Sequence, residues 1–418
     1  MSSAGTAPDV LVLGAGIVGV CTALHLQARG RSVVLVDKHS EAGRETSYGN
    51  AGIIERSSVR PYMFPRDLAT IVRVALNRSV DVRYHANALR EVLPWLAQYF
   101  VKSSPAGIER TARAALPLIE RSVVEHEALM AAAGAEHLAS RTGWIKLYRT
   151  RQKFDSAIAE VARLAPYQLD IEVMDRARLA QVEPHVSGGL GGVHFRDSVC
   201  ISDPAALSKA YADLFAARGG LLVRGDALTL AQHSGGWCVA TESGLVSARE
   251  AVVALGPWSA QLLRPLGYRI PLGIKRGYHL HFGAAGNAVL NRPVLDEEAG
   301  YLLAPMQQGI RLTTGAEFAR FGAPCSPVQI ALAEPLARKM FPLAERRDGQ
   351  PWMGRRPCLP DMLPLIGPAL RHRGLWLNFG HQHHGLTLGP VTGRLLAQMM
   401  TGEELLADPA PYALERFG

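Results

Sequence analysis

A closely spaced group of glycines near the start of the chain restricts its fold more than any other feature of the sequence. The apolar segment Val10–Leu13 predicts a buried strand, and the pattern Gly14-x-Gly16-x-x-Gly19 follows it directly at the start of a predicted helix. A second apolar segment, Val33–Val36, leads into Asp37, which lies eighteen residues beyond Gly19. Together these segments predict a β-α-β unit whose first turn holds the glycines.

Glycines at these positions allow the backbone to approach a phosphate group closely. The helix that follows would direct free N–H groups and positive potential at a pyrophosphate, and Asp37 would accept hydrogen bonds from ribose hydroxyls. The small side chain of Ala15 is compatible with that approach. The pattern therefore predicts a dinucleotide site, and by itself it fits both FAD and NAD.

The composition is that of an ordinary globular protein. Hydrophobic residues make up 48% and charged residues 20% of the 418 residues, which excludes intrinsic disorder and suffices for roughly two to three domains. The five cysteines include no C-x-x-C pair, so neither a disulfide framework nor a structural zinc site is expected. The first residues lack a secretory signal, and glycines interrupt the uncharged segment 10–28. We expect a cytoplasmic protein.

Positive charge is concentrated in one segment of the chain. The formal net charge is +8, and residues 56–121 contain eleven Lys and Arg but five Asp and Glu. Three interpretations remain open: a solvated helical face, attachment to the anionic inner face of a membrane, or attraction of an acidic substrate. The segment has no basic stripe with interleaved stacking aromatics, so nucleic-acid binding is not expected.

Four further glycine-containing segments follow in order along the chain. They are Glu45–Gly52, Val253–Ser259, Gly354–Pro357 with its G-x-R-P pattern, and Asn378–His381, which continues into Gly385–Pro390. With the first glycine pattern, they resemble the D-amino-acid oxidase superfamily of FAD-dependent amine oxidoreductases over nearly the whole chain. The likeness is greatest to bacterial D-amino-acid dehydrogenases and their relatives that act on hydroxyproline, glycine or sarcosine.

The resemblance implies FAD as the cofactor and an α/β fold, with a Rossmann-like FAD-binding domain and a discontinuous mixed α+β substrate domain. The FAD-binding domain is assigned to residues 1–78, 200–270 and 350–418, and the substrate domain to residues 79–199 and 271–349. The residues that the resemblance assigns to FAD are Gly14, Ala15, Gly16, Ile17, Val18, Gly19, Asp37, Lys38, Thr46, Ser47, Asn50, Ala51, Gly52, Ala254, Leu255, Gly256, Trp258, Gly380, His381, Gly385, Leu386 and Thr387.

Oxidation of an amino acid at a flavin requires that the substrate carboxylate be held in a fixed position. A guanidinium does this best, because its two parallel N–H groups pair with both carboxylate oxygens. The resemblance gives this role to Arg356, the arginine of the G-x-R-P pattern, while Arg355 is expected to point away. It also places Tyr301 where relatives have a tyrosine on the same carboxylate.

The segment from Arg276 to His281 resembles the R-G-Y segment of the family. Strand alternation puts Arg276 and Tyr278 on one face, and Gly277, His279 and His281 on the other. Since one face must border the flavin or its pocket, Tyr278 and His279 are both candidates for substrate contact, as is Arg276. A metal site at His279-x-His281 is not expected, because no acidic or cysteine ligand accompanies the pair in sequence.

A histidine cluster, His381-Gln382-His383-His384, occupies the C-terminal loop where relatives have Gly-His-Gly. Its bulk is expected to narrow a pocket whose walls include Asn50, Ile54 and His383. We expect His381 and Gln382 to contact flavin or substrate, and we expect no metal at this cluster.

The predicted activity is oxidation of a D-amino acid. Hydride would move from Cα to flavin N5, and the resulting imino acid would hydrolyse to a 2-oxo acid. A secondary or glycine-type amino acid (sarcosine, glycine or D-hydroxyproline) is the alternative substrate. Electrons would pass to oxygen or to a quinone chain, the latter with peripheral contact to the membrane. A non-catalytic flavin-binding subunit or an NAD-dependent dehydrogenase would also contain the glycine pattern, and the sequence leaves the oligomeric state open.

Overall fold

A computed structural model describes residues 7–233 and 235–417. The strands within these residues are β1 Val10–Leu13, β2 Val33–Asp37, β3 Ile53–Ile54, β4 Val82–Tyr84, β5 Ala139–Ser140, β6 Trp144–Tyr148, β7 Ile171–Asp175, β8 Gly191–Phe195, β9 Val199–Ile201, β10 Leu221–His233, β11 Gly236–Thr241, β12 Gly244–Ala248, β13 Glu250–Val253, β14 Gly273–Ala284, β15 Val294–Asp296, β16 Tyr301–Met306, β17 Gly309–Thr314, β18 Ala316–Phe318, β19 Leu343–Arg346, β20 Trp352–Cys358, β21 Leu365–Pro368 and β22 Leu375–Phe379. The α-helices are α1 Ile17–Gln27, α2 Leu68–Ala75, α3 Leu89–Lys102, α4 Pro105–Ala133, α5 Arg151–Leu164, α6 Arg176–Val182, α7 Pro204–Ala217, α8 Ser259–Leu263, α9 Val328–Met340 and α10 Gly385–Thr401.

The first sheet has the strand order β12-β11-β10-β2-β1-β13-β22-β21, and its central strands from β10 to β22 run parallel. Strand β1 is buried on both faces, since Val10 and Val12 pack into one core cluster and Leu11 and Leu13 into another. A strand that is apolar at every position is typical of the centre of a parallel sheet. The predicted β-α-β unit is confirmed, and Asp37 ends β2.

One face of this sheet is covered by helices packed around α1. Helices α7 and α10 pack against α1. Helix α10 approaches α1 closely at Gly393, because the Cβ that an alanine would add there would lie 2.8 Å from the Thr22 nitrogen. Helix α4 packs against α7 and α10, although it lies in the segment predicted for the substrate domain. Its buried residues Leu118 and Ile119 join the same apolar core cluster as Val10 and Val12. That shared core holds α4 beside the first sheet.

The second sheet is mixed, with the order β4-β18-β14-β17-β16-β15-β6-β8-β7 and with β19 and β20 also paired to β14. Strand β20 lies in the segment predicted for the FAD-binding domain, yet it pairs with β14 from Gly273 to His279. The G-x-R-P pattern is therefore part of the second sheet. A third, small sheet has the order β3-β9-β5. The two large sheets with covering helices confirm the α/β fold class, while the division into residue ranges stays a prediction.

The basic segment 56–121 exposes apolar side chains. Helix α2 buries none of its residues, and Leu68, Val72 and Leu76 are 75%, 51% and 63% exposed. In the described part of the chain, no helix combines the length and the apolar character needed to cross a bilayer.

Candidate active site

A cavity of about 310 Å³ lies where the glycine turn of the first sheet meets β14 and β20 of the second. The residues assigned to the cofactor that border it are Gly14, Gly16, Ile17, Val18, Asp37, Lys38, Thr46, Ser47, Asn50, Ala51, Ala254, Leu255, Gly256, Trp258, Gly380, His381, Gly385 and Leu386. The lining does not include the other four, Ala15, Gly19, Gly52 and Thr387. The structure thus brings together five segments that are far apart in sequence.

The glycine turn is shaped by close backbone contacts. Gly14 has φ +102°, and a Cβ there would lie 2.6 Å from the Ala254 carbonyl oxygen. A Cβ on Gly19 would lie 1.8 Å from the Gly14 carbonyl oxygen. At Gly16 the nearest atom to such a Cβ is Ser47 Oγ at 3.4 Å, so the turn is open toward the cavity. This open cradle at the N-terminus of α1 fits a pyrophosphate.

Asp37 is held in place at the end of β2. Its carboxylate accepts hydrogen bonds from the Ala15 backbone N–H at 2.7 Å and from the His39 backbone N–H at 2.9 Å. Beside it, the Lys38 ammonium lies 4.1 Å from the centre of the Trp258 ring and 2.5 Å from Glu45. The carboxylate at this edge of the cavity suits the ribose hydroxyls of a dinucleotide, and we conclude that the residues fit FAD.

We call the segment Glu45–Gly52 the second flavin loop, because it is the second of the segments that the resemblance assigns to the flavin. Hydrogen bonds connect it to two other segments that border the cavity. Thr46 Oγ1 donates to the Arg355 carbonyl at 2.8 Å, and Asn50 Nδ2 donates to the His383 carbonyl at 3.3 Å. A Cβ on Gly49 would lie 1.9 Å from the Trp352 ring, so only glycine fits there. The loop therefore rests directly on β20 and on the C-terminal histidine segment.

Arg356 borders the cavity, and its side chain is half-buried. It donates to the carbonyl oxygens of Gly315 at 2.7 Å and Thr314 at 3.2 Å, and it covers Gly277, where a Cβ would lie 2.4 Å from Nη2. Burial lowers its pKa, and no carboxylate of the described residues forms an ion pair with it. A half-buried cation that lacks a counter-charge and faces a cavity is suited to an anionic ligand. Arg355 points elsewhere, as expected, toward the Phe321 carbonyl at 3.3 Å.

The alternation predicted for β14 is present in the structure. Gly277 borders the cavity on the side of Arg356, and His279 on the same face stacks on the Trp352 ring at 4.8 Å. His279 is 2% exposed and does not border the cavity. Burial and the nearby charge of Arg311 lower the pKa of His279 to about 2, so its ring is neutral. The structure gives His279 a packing role beneath the second flavin loop.

Tyr278 borders the cavity, but its hydroxyl is directed into a buried polar network. The hydroxyl donates to Glu317 at 2.7 Å and accepts from Arg276 Nη2 at 2.6 Å and from the Ser326 N–H at 3.0 Å. Arg276, which is 0% exposed, also pairs with Glu317 at 2.9 Å. These contacts use the hydrogen-bonding capacity of the hydroxyl, so we assign Arg276 and Tyr278 a structural role in this network.

Replacing Tyr278 with phenylalanine is expected to lower the free energy of unfolding by about 1–3 kcal/mol, because Arg276 and Glu317 each lose a buried hydrogen bond. The value of kcat/KM for an amino-acid substrate is expected to stay within about threefold of wild type. Denaturant unfolding and steady-state kinetics measure the two quantities. A tenfold loss of kcat/KM at unchanged stability would instead show that the hydroxyl contacts substrate.

Tyr301 lies outside the cavity lining. It is 1% exposed and packs with Leu303 and Tyr278 in one core cluster, and its hydroxyl is 3.7 Å from Met340 Sδ. The alternate residues of β16, Leu302 and Ala304, pack in a different cluster on the opposite face. Because residues alternate along a strand, Tyr301 faces away from that second cluster. We therefore leave Tyr301 out of the proposed substrate contacts.

The histidine loop and the start of α10 close one side of the cavity. His381 Nε2 lies 3.0 Å from Thr392 Oγ1, and burial lowers the pKa of His381 to about 3. Thr387 Oγ1 accepts from the Glu55 N–H at 3.1 Å, which places this threonine behind the lining. Helix α10 begins at Gly385 without a side-chain cap, so its first N–H groups are available beside the cavity.

Two residues at the cavity were not predicted from the sequence, because they lie in no recognisable motif. Glu55 follows β3 and borders the cavity, and Trp352 begins β20 and supports the second flavin loop. His383, expected as a pocket wall, borders the cavity, whereas Ile53 lies there in place of Ile54. Their positions depend on long-range contacts that spacing along the chain does not reveal.

Comparison with known proteins shows the family to which the chain belongs. The family model described as DAO, FAD dependent oxidoreductase, matches residues 9–399. A protein named D-amino-acid oxidase from Bradyrhizobium diazoefficiens is 30% identical to this chain, over 98% of each. A protein named D-amino acid dehydrogenase from Xylella fastidiosa is 31% identical over 94% of this chain and 91% of its own length.

The fold is shared with a solved structure. Glycine oxidase from Geobacillus kaustophilus superposes with a TM-score of 0.75 at 22% identity, covering 97% of this chain and 98% of that protein. The extent of the family match and of the two relatives confirms the resemblance seen in the flavin segments. This chain belongs to the DAO family of FAD-dependent oxidoreductases.

Proposed function

We propose that this FAD-dependent oxidoreductase oxidises a D-amino acid to an imino acid, which water then converts to a 2-oxo acid and ammonia. The observation that carries the proposal is Arg356, a half-buried guanidinium that has no counter-charge among the described residues and lies in the same cavity as the flavin segments. The names of the two relatives at 30% and 31% identity support a D-amino acid as substrate.

Arg356 would fix the substrate through its carboxylate. The carbonyl oxygens of Thr314 and Gly315 hold the guanidinium, and Gly277 leaves room for it against β14. Such a fixed carboxylate orients Cα reproducibly, which is the main requirement for the reaction. When bound, FAD supplies the two-electron acceptor for the hydride that leaves Cα. The uncapped N-terminus of α10 stabilises negative charge that develops beside it.

The test is an anaerobic absorbance spectrum of the pure holoenzyme before and after addition of single amino acids. D-Amino acids are expected to bleach the flavin band, whereas their L-enantiomers are not. Bleaching by glycine, sarcosine or a hydroxyproline isomer alone would favour the secondary or glycine-type substrate. A flavin that no amino acid bleaches would contradict the proposal and favour a non-catalytic subunit.

The electron acceptor is tested in the same cuvette. Rapid return of the flavin band on readmitting air identifies an oxidase, and slow return that a quinone analogue accelerates identifies a dehydrogenase. The exposed apolar residues of α2, which lie within the basic segment 56–121, support a peripheral membrane contact of the kind that a quinone acceptor requires.

A further inference from the structure

Three side chains from distant parts of the chain place polar atoms with unused hydrogen-bonding capacity together beside the cavity. The carboxylate of Glu55 and one ring nitrogen each of His383 and His384 lie within 4.8 Å of one another. Nε2 of both histidines is buried and has no hydrogen-bond partner among the described residues, and His384 is 4% exposed. We call Glu55, His383 and His384 the acceptor cluster.

The carboxylate of Glu55 is only partly satisfied. Its Oε2 accepts from Ser58 Oγ at 2.5 Å and lies 3.7 Å from His384 Nε2, while Oε1 accepts no hydrogen bond from the described residues. The neighbouring Lys146 directs its ammonium to within 4.0 Å of Glu297 instead. Among the described residues, Glu55 thus has unused acceptor capacity and is paired with His384 but with no lysine or arginine.

The charge state of the cluster suits a cation. Burial opposes ionisation of Glu55, but His384 beside it outweighs that effect and lowers the pKa of the carboxyl to about 2. Burial holds the pKa of His383 well below its usual range, so its ring is neutral and one nitrogen accepts a hydrogen bond. At neutral pH the cluster therefore carries a negative charge on Glu55, next to the His384 ring that stabilises this charge and the neutral ring of His383.

The acceptor cluster belongs to the same cavity as Arg356. Glu55 and His383 both border that cavity. His383 lies close enough to Arg356 and Glu55 for their charges to affect its pKa. The other acids of the lining are Asp37, Glu45 and Asp226; Asp37 is bonded to backbone N–H groups and Glu45 is paired with Lys38. A ligand whose carboxylate lies on Arg356 would therefore meet a second, negatively charged contact at Glu55.

We propose that the acceptor cluster binds the cationic side-chain group of the substrate, so that the preferred substrates are D-amino acids with a guanidinium or ammonium side chain. This inference rests on the proposed function for the role of Arg356. A guanidinium carries five N–H donors and no acceptor, which matches the carboxylate of Glu55 and the acceptor nitrogen of the neutral His383 ring. Arg356 and Glu55 then hold the two oppositely charged ends of one molecule.

The test compares D-arginine and D-lysine with D-norleucine, which has a similar length and no side-chain charge. In wild type, kcat/KM for D-arginine is expected to exceed that for D-norleucine by about 100-fold. Glu55→Gln is expected to lower kcat/KM for D-arginine by about 50-fold while changing that for D-norleucine by less than about threefold. Glu55→Asp, which keeps the charge, should retain part of the preference, and Glu41→Gln on the exposed surface is the matched control.

Separate outcomes distinguish this inference from the proposed function. Equal turnover of D-arginine and D-norleucine, unaffected by Glu55→Gln, would overturn the acceptor cluster as a side-chain site and leave the oxidation of D-amino acids standing. If no D-amino acid bleaches the flavin, calorimetric binding of D-arginine to wild type and Glu55→Gln still tests the cluster, and equal affinities would overturn it. One equivalent of a divalent metal in the purified holoenzyme, lost in Glu55→Gln, would also overturn it, because the same atoms would then be metal ligands.

Discussion

Replacing Arg356 with alanine is expected to lower kcat/KM for a D-amino acid by about a thousandfold while the protein keeps its FAD. Truncating one partner of a buried charge pair costs about 2–5 kcal/mol, and each 1.4 kcal/mol corresponds to about tenfold. Arg356 meets no carboxylate of the described residues, so the substrate would supply the counter-charge. Anaerobic flavin reduction, followed as a function of substrate concentration, measures the loss.

Arg355→Ala is the matched control for this prediction. Its guanidinium lies 5.2 Å from the centre of the Phe321 ring and donates to the Phe321 carbonyl, outside the cavity lining. We expect its kcat/KM to stay within about threefold of wild type. Arg356→Lys should fall between the two variants, because an ammonium keeps the charge but loses the two parallel hydrogen bonds. Equal losses in the two alanine variants would contradict the role given to Arg356.

The parts of the fold that the sequence predicted correctly are those whose physical cause is local. The strand β1, the glycine turn and the helix α1 follow one another without a break, so their spacing alone predicts the β-α-β unit. Arg356 could be separated from Arg355 because it occupies the arginine of the G-x-R-P pattern, and the other flavin segments are likewise assigned from the family resemblance. Local spacing predicts the glycine turn, and the resemblance predicts the other segments on the cofactor side of the cavity.

The substrate side depends on contacts that no local pattern encodes. On β16 the residues Tyr301, Leu302, Leu303 and Ala304 are all buried, in two different clusters, so apolar character does not show which residues face the substrate. A shift of one residue moves every side chain to the other face of the strand. For that reason the sequence could not show that Tyr301 packs in the core cluster of Tyr278.

Polar residues of the cavity depend on partners far away in sequence. The hydroxyl of Tyr278 is used by Arg276 and Glu317, which its alternation pattern could not reveal. The histidine loop showed no acidic neighbour in sequence, whereas the structure brings Glu55 to it from the other end of the chain. The charge balance of the substrate pocket is therefore a property of the folded chain.

Gly14→Ala is expected to lower the FAD content of the purified protein at least about tenfold. The backbone at Gly14 has φ +102°, a conformation that costs an L-residue about 1–2 kcal/mol, and the added Cβ would lie 2.6 Å from the Ala254 carbonyl oxygen. That carbonyl belongs to a strand–loop junction that also borders the cavity, so the clash would displace the turn that receives the pyrophosphate. The ratio of flavin to protein absorbance after desalting measures the loss.

Gly322→Ala serves as the control, because a Cβ at this exposed turn has no atom within 4 Å. We expect it to retain the flavin content of wild type. Circular dichroism separates failure of the cofactor site from failure to fold: the expected Gly14→Ala protein keeps its secondary structure and takes up added FAD with weakened affinity. A Gly14→Ala protein that retains full flavin content would contradict the assignment of this turn to the pyrophosphate, because the clash and the positive φ both fall at the N-terminus of α1, where the phosphates would lie.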